Sequence, residues 1–263
     1  MPEGDTIHKT AGRLRQALLD QPVRRIQFRR WSGQTPAAGE RVVGVEAEGK
    51  HLLVYFAGGL TLETHMKMTG SWHLYRPGER WRKPMDFMRV VIGVDAWDAV
   101  CFSAPDVRVV PTARAGRDDL GPDLCREDVD IGVAVELARA LGSGSSAIAD
   151  VLLDQRLASG IGNVYKSEVL WALRVSPFLE LDEVDDALLE GLYRRASRLL
   201  RANLHTNRRT TVSGGLAVYE RAGRPCRRCD TMIRRVAQGP HARSTYWCPR
   251  CQPDEPPDAP TPN

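Results

Sequence analysis

Cys226-Arg-Arg-Cys229 and Cys248-Pro-Arg-Cys251 are two C-x2-C knuckles with 18 residues between them, a spacing that suits four thiolates around one zinc ion. A segment this short buries too little apolar surface to fold alone. A metal here is therefore structural, with four protein ligands closing its coordination sphere. Two disulfides or a chance spacing are the alternatives, and disulfides are rare in a cytosolic chain. Cys101 and Cys125 lie outside the pattern and read as buried thiols. Between the knuckles, Ile233 and Val236, then Thr245 to Trp247, suggest two β-strands with Gln238-Gly-Pro-His-Ala-Arg243 at the hairpin tip. Arg243 projects from that tip. A planar guanidinium on a metal-pinned hairpin suits bidentate phosphate binding, although an exposed arginine is often only a solvated surface residue.

Outward from the knuckles, the charge is uneven. Residues 201 to 251 hold 11 basic and 2 acidic side chains, a local charge of +9, in a chain whose net charge is +4. Such a block suits a polyanion, because each phosphate neutralised releases counterions, and a solvated basic face is the alternative. Upstream, helical periodicity marks helices near 131 to 141, 147 to 158, 163 to 173 and 185 to 203. Residues 115 to 128 are polar and contain Gly and Pro, the composition of a linker. Before them come the alternating or β-branched runs Val42–Val45, Leu52–Phe56, Leu60–Thr64, Arg89–Val94 and Ala99–Ser103, an antiparallel sandwich or barrel. An amphipathic helix with Ile7, Ala11, Leu14 and Leu18 on one face starts almost at the first residue. The expected class is α+β multidomain, divided into an N-terminal β-sandwich with flanking helix (1–114), a linker (115–128), a helical domain (129–222), a zinc unit (223–252) and a disordered tail (253–263) with most of its residues Pro or acidic. No apolar run approaches the roughly 20 residues that span a bilayer, and residues 1 to 20 lack the apolar core of a secretory signal, so the expected compartment is the cytoplasm.

Three further features carry chemistry. Met1 precedes a small residue, Pro2, so removal of the initiator methionine exposes a secondary amine. An α-amino group with an ordinary pKa near 7.7 to 8.0 is partly neutral at physiological pH and can attack an electrophilic carbon, with Glu3 beside it as acid or base. The same three residues are also simply a good helix start. Lys50, in Gly49-Lys50, stands at a strand entrance, where it faces a cleft or merely marks the strand edge. Leu157-Ala-Ser-Gly-Ile-Gly-Asn163 places a Gly-rich turn before a helix, whose free N–H groups and the Asn163 amide can hold a phosphate oxygen; a plain helix-turn-helix corner accounts for the glycines equally well.

Together, Pro2-Glu3-Gly4, Gly49-Lys50, Asp154-Gln155 through Gly160-Ile-Gly-Asn163-Val-Tyr165, and the knuckles with Arg243-Ser-Thr-Tyr-Trp-Cys248 resemble the formamidopyrimidine-DNA glycosylase and endonuclease VIII family of base-excision repair enzymes. The likeness covers about 250 residues, with several motifs in the same order. It implies a β-sandwich, a helix-two-turns-helix domain and a zinc finger clamping bent duplex DNA, a monomer, one structural Zn2+ held by Cys226, Cys229, Cys248 and Cys251, and a place on the nucleoid.

Residue by residue, the resemblance makes Pro2 the nucleophile that attacks C1′ of a damaged nucleotide, Glu3 the proton donor to the opening sugar, and Lys50 an assistant near the lesion phosphate. It makes Asn163 and Arg243 the phosphate-gripping pair and Glu168 another acid near the site. Base extrusion costs a few kcal/mol and leaves a gap for side chains to fill, with Met68 and Arg108 as candidates. Purine-specific relatives carry Phe where this chain has Val110, and their base-capping loop is longer than Asn207–Tyr219. Both departures, with the Pro-Glu-Gly opening, favour the endonuclease VIII branch and oxidised pyrimidines. An oxidised-purine specificity and a noncatalytic damage-binding zinc protein are the alternatives.

Overall fold

A computed structural model describes residues 2–253. Met1 and all of the expected tail except Pro253 lie outside the described residues. The chain divides into two compact units, Met1–Asp118 and Asp119–Asn263.

The first unit is a sandwich of two antiparallel four-stranded sheets with one helix. Helix α1 (Gly4–Leu18) turns Ile7, Ala11, Leu14 and Leu18 inward, as their spacing dictates. It packs on β2 (Val42–Glu48) and β3 (His51–Phe56), and an Arg15 guanidinium donates to the carbonyl of Val45. These strands join β4 (Leu60–His65) and β8 (Asp106–Pro111) in the order β2-β3-β4-β8. The second sheet comprises β1 (Arg25–Phe28), β5 (Ser71–Tyr75), β6 (Met88–Gly93) and β7 (Asp98–Phe102), ordered β1-β6-β7-β5. Val54, Leu62, Trp72, Ile92 and Cys101 from both sheets meet α1 in one core, so Cys101 is the buried thiol expected. Strands β1, β5 and β8 escaped the sequence reading because their half-buried patterns carry Arg25, Gln27, His73, Asp106 and Arg108 among the apolar positions.

The second unit surrounds α2 (Ile131–Leu141), α3 (Ile148–Val151), α4 (Asn163–Leu173) and α5 (Asp186–Ala202). Asp130 and Asp185 cap α2 and α5 by accepting the N–H groups of Gly132 and Leu188. Two expectations need correction. The proposed linker is partly core: Leu124 and Cys125 are buried with Leu157, Ile161 and Leu200, and Leu124 N–H donates to Ser159. The proposed helix over 147–158 stops at Val151. Asp154 turns back to accept Arg156 N–H, while the Gln155 amide donates to Leu153 and Ile161 carbonyls and accepts Gly160 N–H, so side chains take the backbone partners a helix would use. Gly160 has φ +106°, a conformation a side chain would strain. The apolar residues at helical spacing here therefore line two turns instead of one helix.

The zinc unit ends this body: β9 (Arg234–Gln238) pairs antiparallel with β10 (Arg243–Trp247), and Trp171 of α4 packs beside Cys226 and Cys248. Among the described residues, no helix is long and apolar enough to cross a membrane.

Candidate active site and zinc centre

In the first unit, Glu3 occupies the N-cap position of α1 and is fully buried, its carbonyl accepting the N–H groups of Thr6 and Ile7. Pro2, half-buried, stands immediately before it, at the positive end of a 15-residue helix. Asp5, also buried, accepts from the Thr6 hydroxyl at 3.2 Å and lies 3.7 Å from the Lys9 ammonium.

Lys50 is half-buried in the two-residue connection between β2 and β3, where Gly49 supplies φ +55°. Next to it, His51 lies opposite His65 on β4, and their rings stack with centroids 4.4 Å apart. Burial holds the His51 imidazole down to about 4, with the charges of His65, Arg117 and Arg108 acting the same way. His65 is also shifted down, burial outweighing the attraction of Asp106. Asp106 accepts the Lys67 ammonium at 2.9 Å, which lowers its own pKa.

The two gap-filling candidates differ in how they are held. Met68, in the turn after β4, is 64% exposed, as are Met85 and Met232 to a similar degree, so its side chain is held by little around it. Arg108 on β8 is ion-paired with Glu63 directly across the ladder. Glu63 is buried and its second oxygen accepts Gly116 N–H at 2.9 Å, which fixes one edge of the guanidinium. The sequence signal for Glu63 was available, since it is the one charged residue within the otherwise uncharged Leu60–Thr64 run.

In the second unit, the structure brings Asn163 and the hairpin together. Asn163, the first residue of α4, donates from Nδ2 to the carbonyl of Ser244 at 2.7 Å. Arg243, the residue before Ser244, is exposed at the start of β10, as the hairpin pattern implied. Glu168 does not point to a phosphate-accessible surface. It is buried, and its carboxylate accepts Thr211 Oγ1 and the backbone N–H groups of Ala217, Val218 and Tyr219. Four donors saturate both oxygens, so the expectation that Glu168 contacts DNA gives way to an anchor for the 211–219 loop. Lys166, two residues earlier on the same helix, is also fully buried, whereas a lysine within a helical pattern is ordinarily on the wet face.

The four knuckle sulfurs lie within 4.8 Å of one another. Three of the separations are 3.4 Å (Cys229–Cys248), 3.4 Å (Cys229–Cys251) and 4.0 Å (Cys226–Cys251). A tetrahedral zinc with bonds of about 2.3 Å separates its sulfurs by about 3.8 Å, whereas a disulfide needs about 2.05 Å. The donor set therefore fits one structural zinc and excludes the disulfide alternative. Trp171 Nε1–H and Arg228 N–H each donate to Cys226 Sγ at 3.4 Å, the outer contacts that favour a thiolate.

Comparison with known proteins agrees with this architecture along the chain. The formamidopyrimidine-DNA glycosylase N-terminal domain matches residues 1–110, the formamidopyrimidine-DNA glycosylase H2TH domain residues 120–213, and the zinc finger found in FPG and IleRS residues 223–253. A probable endonuclease 8 2 from Streptomyces coelicolor is 42% identical over 262 residues, covering 96% of this chain and 94% of that protein. The DNA-(apurinic or apyrimidinic site) lyase Nei2 of Mycolicibacterium smegmatis is 34% identical, with 96% and 99% covered. Among solved structures, MutM (Fpg) from Thermus thermophilus superposes with a TM-score of 0.79 at 28% identity, covering 97% of this chain and 100% of that one. Lactococcus lactis Fpg bound to DNA containing an AP site gives a TM-score of 0.81 at 21% identity, a likeness of fold, with 96% and 100% covered. With three domain matches in order and a full-length relative at 42% identity, the chain belongs to the formamidopyrimidine-DNA glycosylase and endonuclease VIII family of DNA glycosylases with AP lyase activity.

Proposed function

We propose that this chain excises oxidised bases, pyrimidines foremost, from duplex DNA as a monomer and then cuts the strand through a Schiff base on Pro2. The observation that carries this reading is the placement of Pro2, half-buried at the positive end of α1 with fully buried Glu3 next in the chain. A positive helix end disfavours a protonated amine, and an acid beside it can donate to a leaving oxygen.

Pro2 nitrogen attacks C1′ and the bond from C1′ to the base breaks; the base leaves with the electron pair and takes up, directly or through solvent, the proton that the proline nitrogen loses. Glu3 protonates O4′ as the sugar ring opens, leaving an iminium between C1′ and the proline nitrogen. The iminium acidifies C2′; loss of that proton expels the 3′ phosphate, and a second elimination expels the 5′ phosphate. Lys50 assists near the lesion phosphate, and Asn163 and Arg243 hold phosphates of the same strand. Met68 and Arg108 fill the gap left by the extruded base. The zinc holds the hairpin of Arg243 in shape and takes no part in these steps. Val110 and the short Asn207–Tyr219 segment support the pyrimidine preference.

The test is reduction of the iminium. Protein verified by mass spectrometry to lack Met1, mixed with abasic-site duplex and borohydride, should give a covalent adduct, and acetylating the prolyl nitrogen should abolish it. Processed protein that binds the duplex without an adduct contradicts the mechanism. Release of oxidised pyrimidines slower than that of oxidised purines contradicts the lesion preference.

A further inference from the structure

Lys166 is fully buried in the first turn of α4, an expensive place for an ammonium unless its partners use it. Its Nζ donates to Thr245 Oγ1 at 2.8 Å and approaches the Ser244 carbonyl at 3.5 Å, the same carbonyl that accepts from Asn163 at 2.7 Å. Thr245 passes the interaction on, its hydroxyl donating to Gln238 Oε1 at 2.7 Å, while Gln238 Nε2 donates to the Pro177 carbonyl at 2.9 Å. Gln238 is the cross-strand partner of Arg243. Both residues that flank Arg243, Ser244 along the chain and Gln238 across the hairpin, are thus tied into a polar seam that starts at the Lys166 ammonium. Arg243 itself is exposed, and its backbone sits between these two neighbours. Asp150, half-buried near Lys166, has its pKa pushed up by burial, with the Lys166 ammonium acting in the opposite direction.

We infer that Lys166 is a positioning residue for the phosphate grip: it fixes the register of the Arg243 hairpin against the Asn163 end of α4, and so sets DNA affinity while leaving the sugar chemistry alone. A methionine of similar length would fill the space without the cost of a buried charge, so what the lysine adds at this position is its donors and not its bulk. A hydrogen-bond chain that begins at a charge is stiffer than a neutral one, because each member polarises the next.

This inference rests on the proposed DNA reading and is tested with Lys166→Met, Thr245→Val and the double variant, each verified as folded and zinc-loaded. Affinity is measured by fluorescence anisotropy with a duplex carrying a tetrahydrofuran abasic analogue. Each single variant should weaken binding about tenfold, the effect of one charge-assisted hydrogen bond. The double should be no weaker than the weaker single, because both remove the same seam. The borohydride trapping rate at saturating abasic DNA should stay within about twofold of the parent, as expected when binding and not the reacting centre is altered. Unchanged affinity in both singles, an additive double, or a saturating trapping rate that falls in step with affinity overturns the inference. If Lys166→Met fails to fold, Thr245→Val decides alone. A parent protein that binds the analogue but never traps sinks the Pro2 mechanism and leaves the affinity arms to judge Lys166.

Discussion

The imidazole of His51 shows how far single residues in this protein depart from their sequence appearance. A histidine after Gly49-Lys50 at a strand entrance looks like an ordinary exposed titrating group, yet it lies against His65 at 4.4 Å and is held down to about 4 from an ordinary 6.5. The folded protein therefore resists a proton that the unfolded chain accepts below about pH 6.5. Stability should be flat above that value and fall as the pH drops toward about 4, with His65 adding in the same direction. We expect a loss of roughly 1 to 2 kcal/mol from this site after allowing for partial solvent access. His51→Phe keeps a ring against His65 and removes the titration, so thermal melting of the variant should lose part of its slope between pH 7 and pH 5. A slope identical to that of the parent would show that the His51 proton plays no part. Cys226, Cys229, Cys248 and Cys251 were legible at this scale because their spacing marks them. Lys166 and the partners of Glu168 were not, because they depend on strands and loops distant in sequence; Glu63 is marked only by its lone charge in an otherwise uncharged strand.

At the scale of the element, α4 is the least sequence-like piece of the protein. Asn163 to Trp171 are all buried, so this helix has no wet face, and its polar residues are accommodated by hydrogen bonds to other segments. Its ends were nonetheless correctly placed by the Gly-rich turn before it and the helical period within it. The opposite error occurred just upstream, where the spacing of Val151, Leu152, Leu157 and Ala158 mimics a helix but Asp154 and Gln155 capture the backbone. Glu168 gives the element-level prediction. Replacing it with alanine leaves the Ala217, Val218 and Tyr219 N–H groups and the Thr211 hydroxyl without their acceptor. The cost should be about 2 to 4 kcal/mol, that of a broken buried polar network. Hydrogen exchange at those three amides should accelerate far more than exchange across α5. Unchanged protection at residues 217–219 would contradict the anchoring role.

For the molecule as a whole, composition already carried the basic C-terminal block and the order of β-rich, helical and zinc-bearing segments. It did not carry the way the zinc unit is bound into the second compact body. Gln252 Nε2 donates to the Val175 carbonyl at 2.8 Å, and Trp171 lies on the knuckle sulfurs, so the finger and the helical core share contacts beyond the metal. Removing zinc should accordingly do more than open a loop. Verified chelation should lower the melting temperature of the protein and weaken duplex binding at least about tenfold, because metal binding and folding of such a site are one process. A zinc-free protein with an unaltered melt and unaltered affinity would contradict the structural assignment of the metal.

The chemistry itself stands or falls on which nitrogen becomes bonded to the sugar. Borohydride-trapped protein, digested and sequenced by tandem mass spectrometry, should carry the deoxyribose remnant on the N-terminal peptide at Pro2. A remnant on Lys50, the rival amine in the same unit, would contradict the proline mechanism directly.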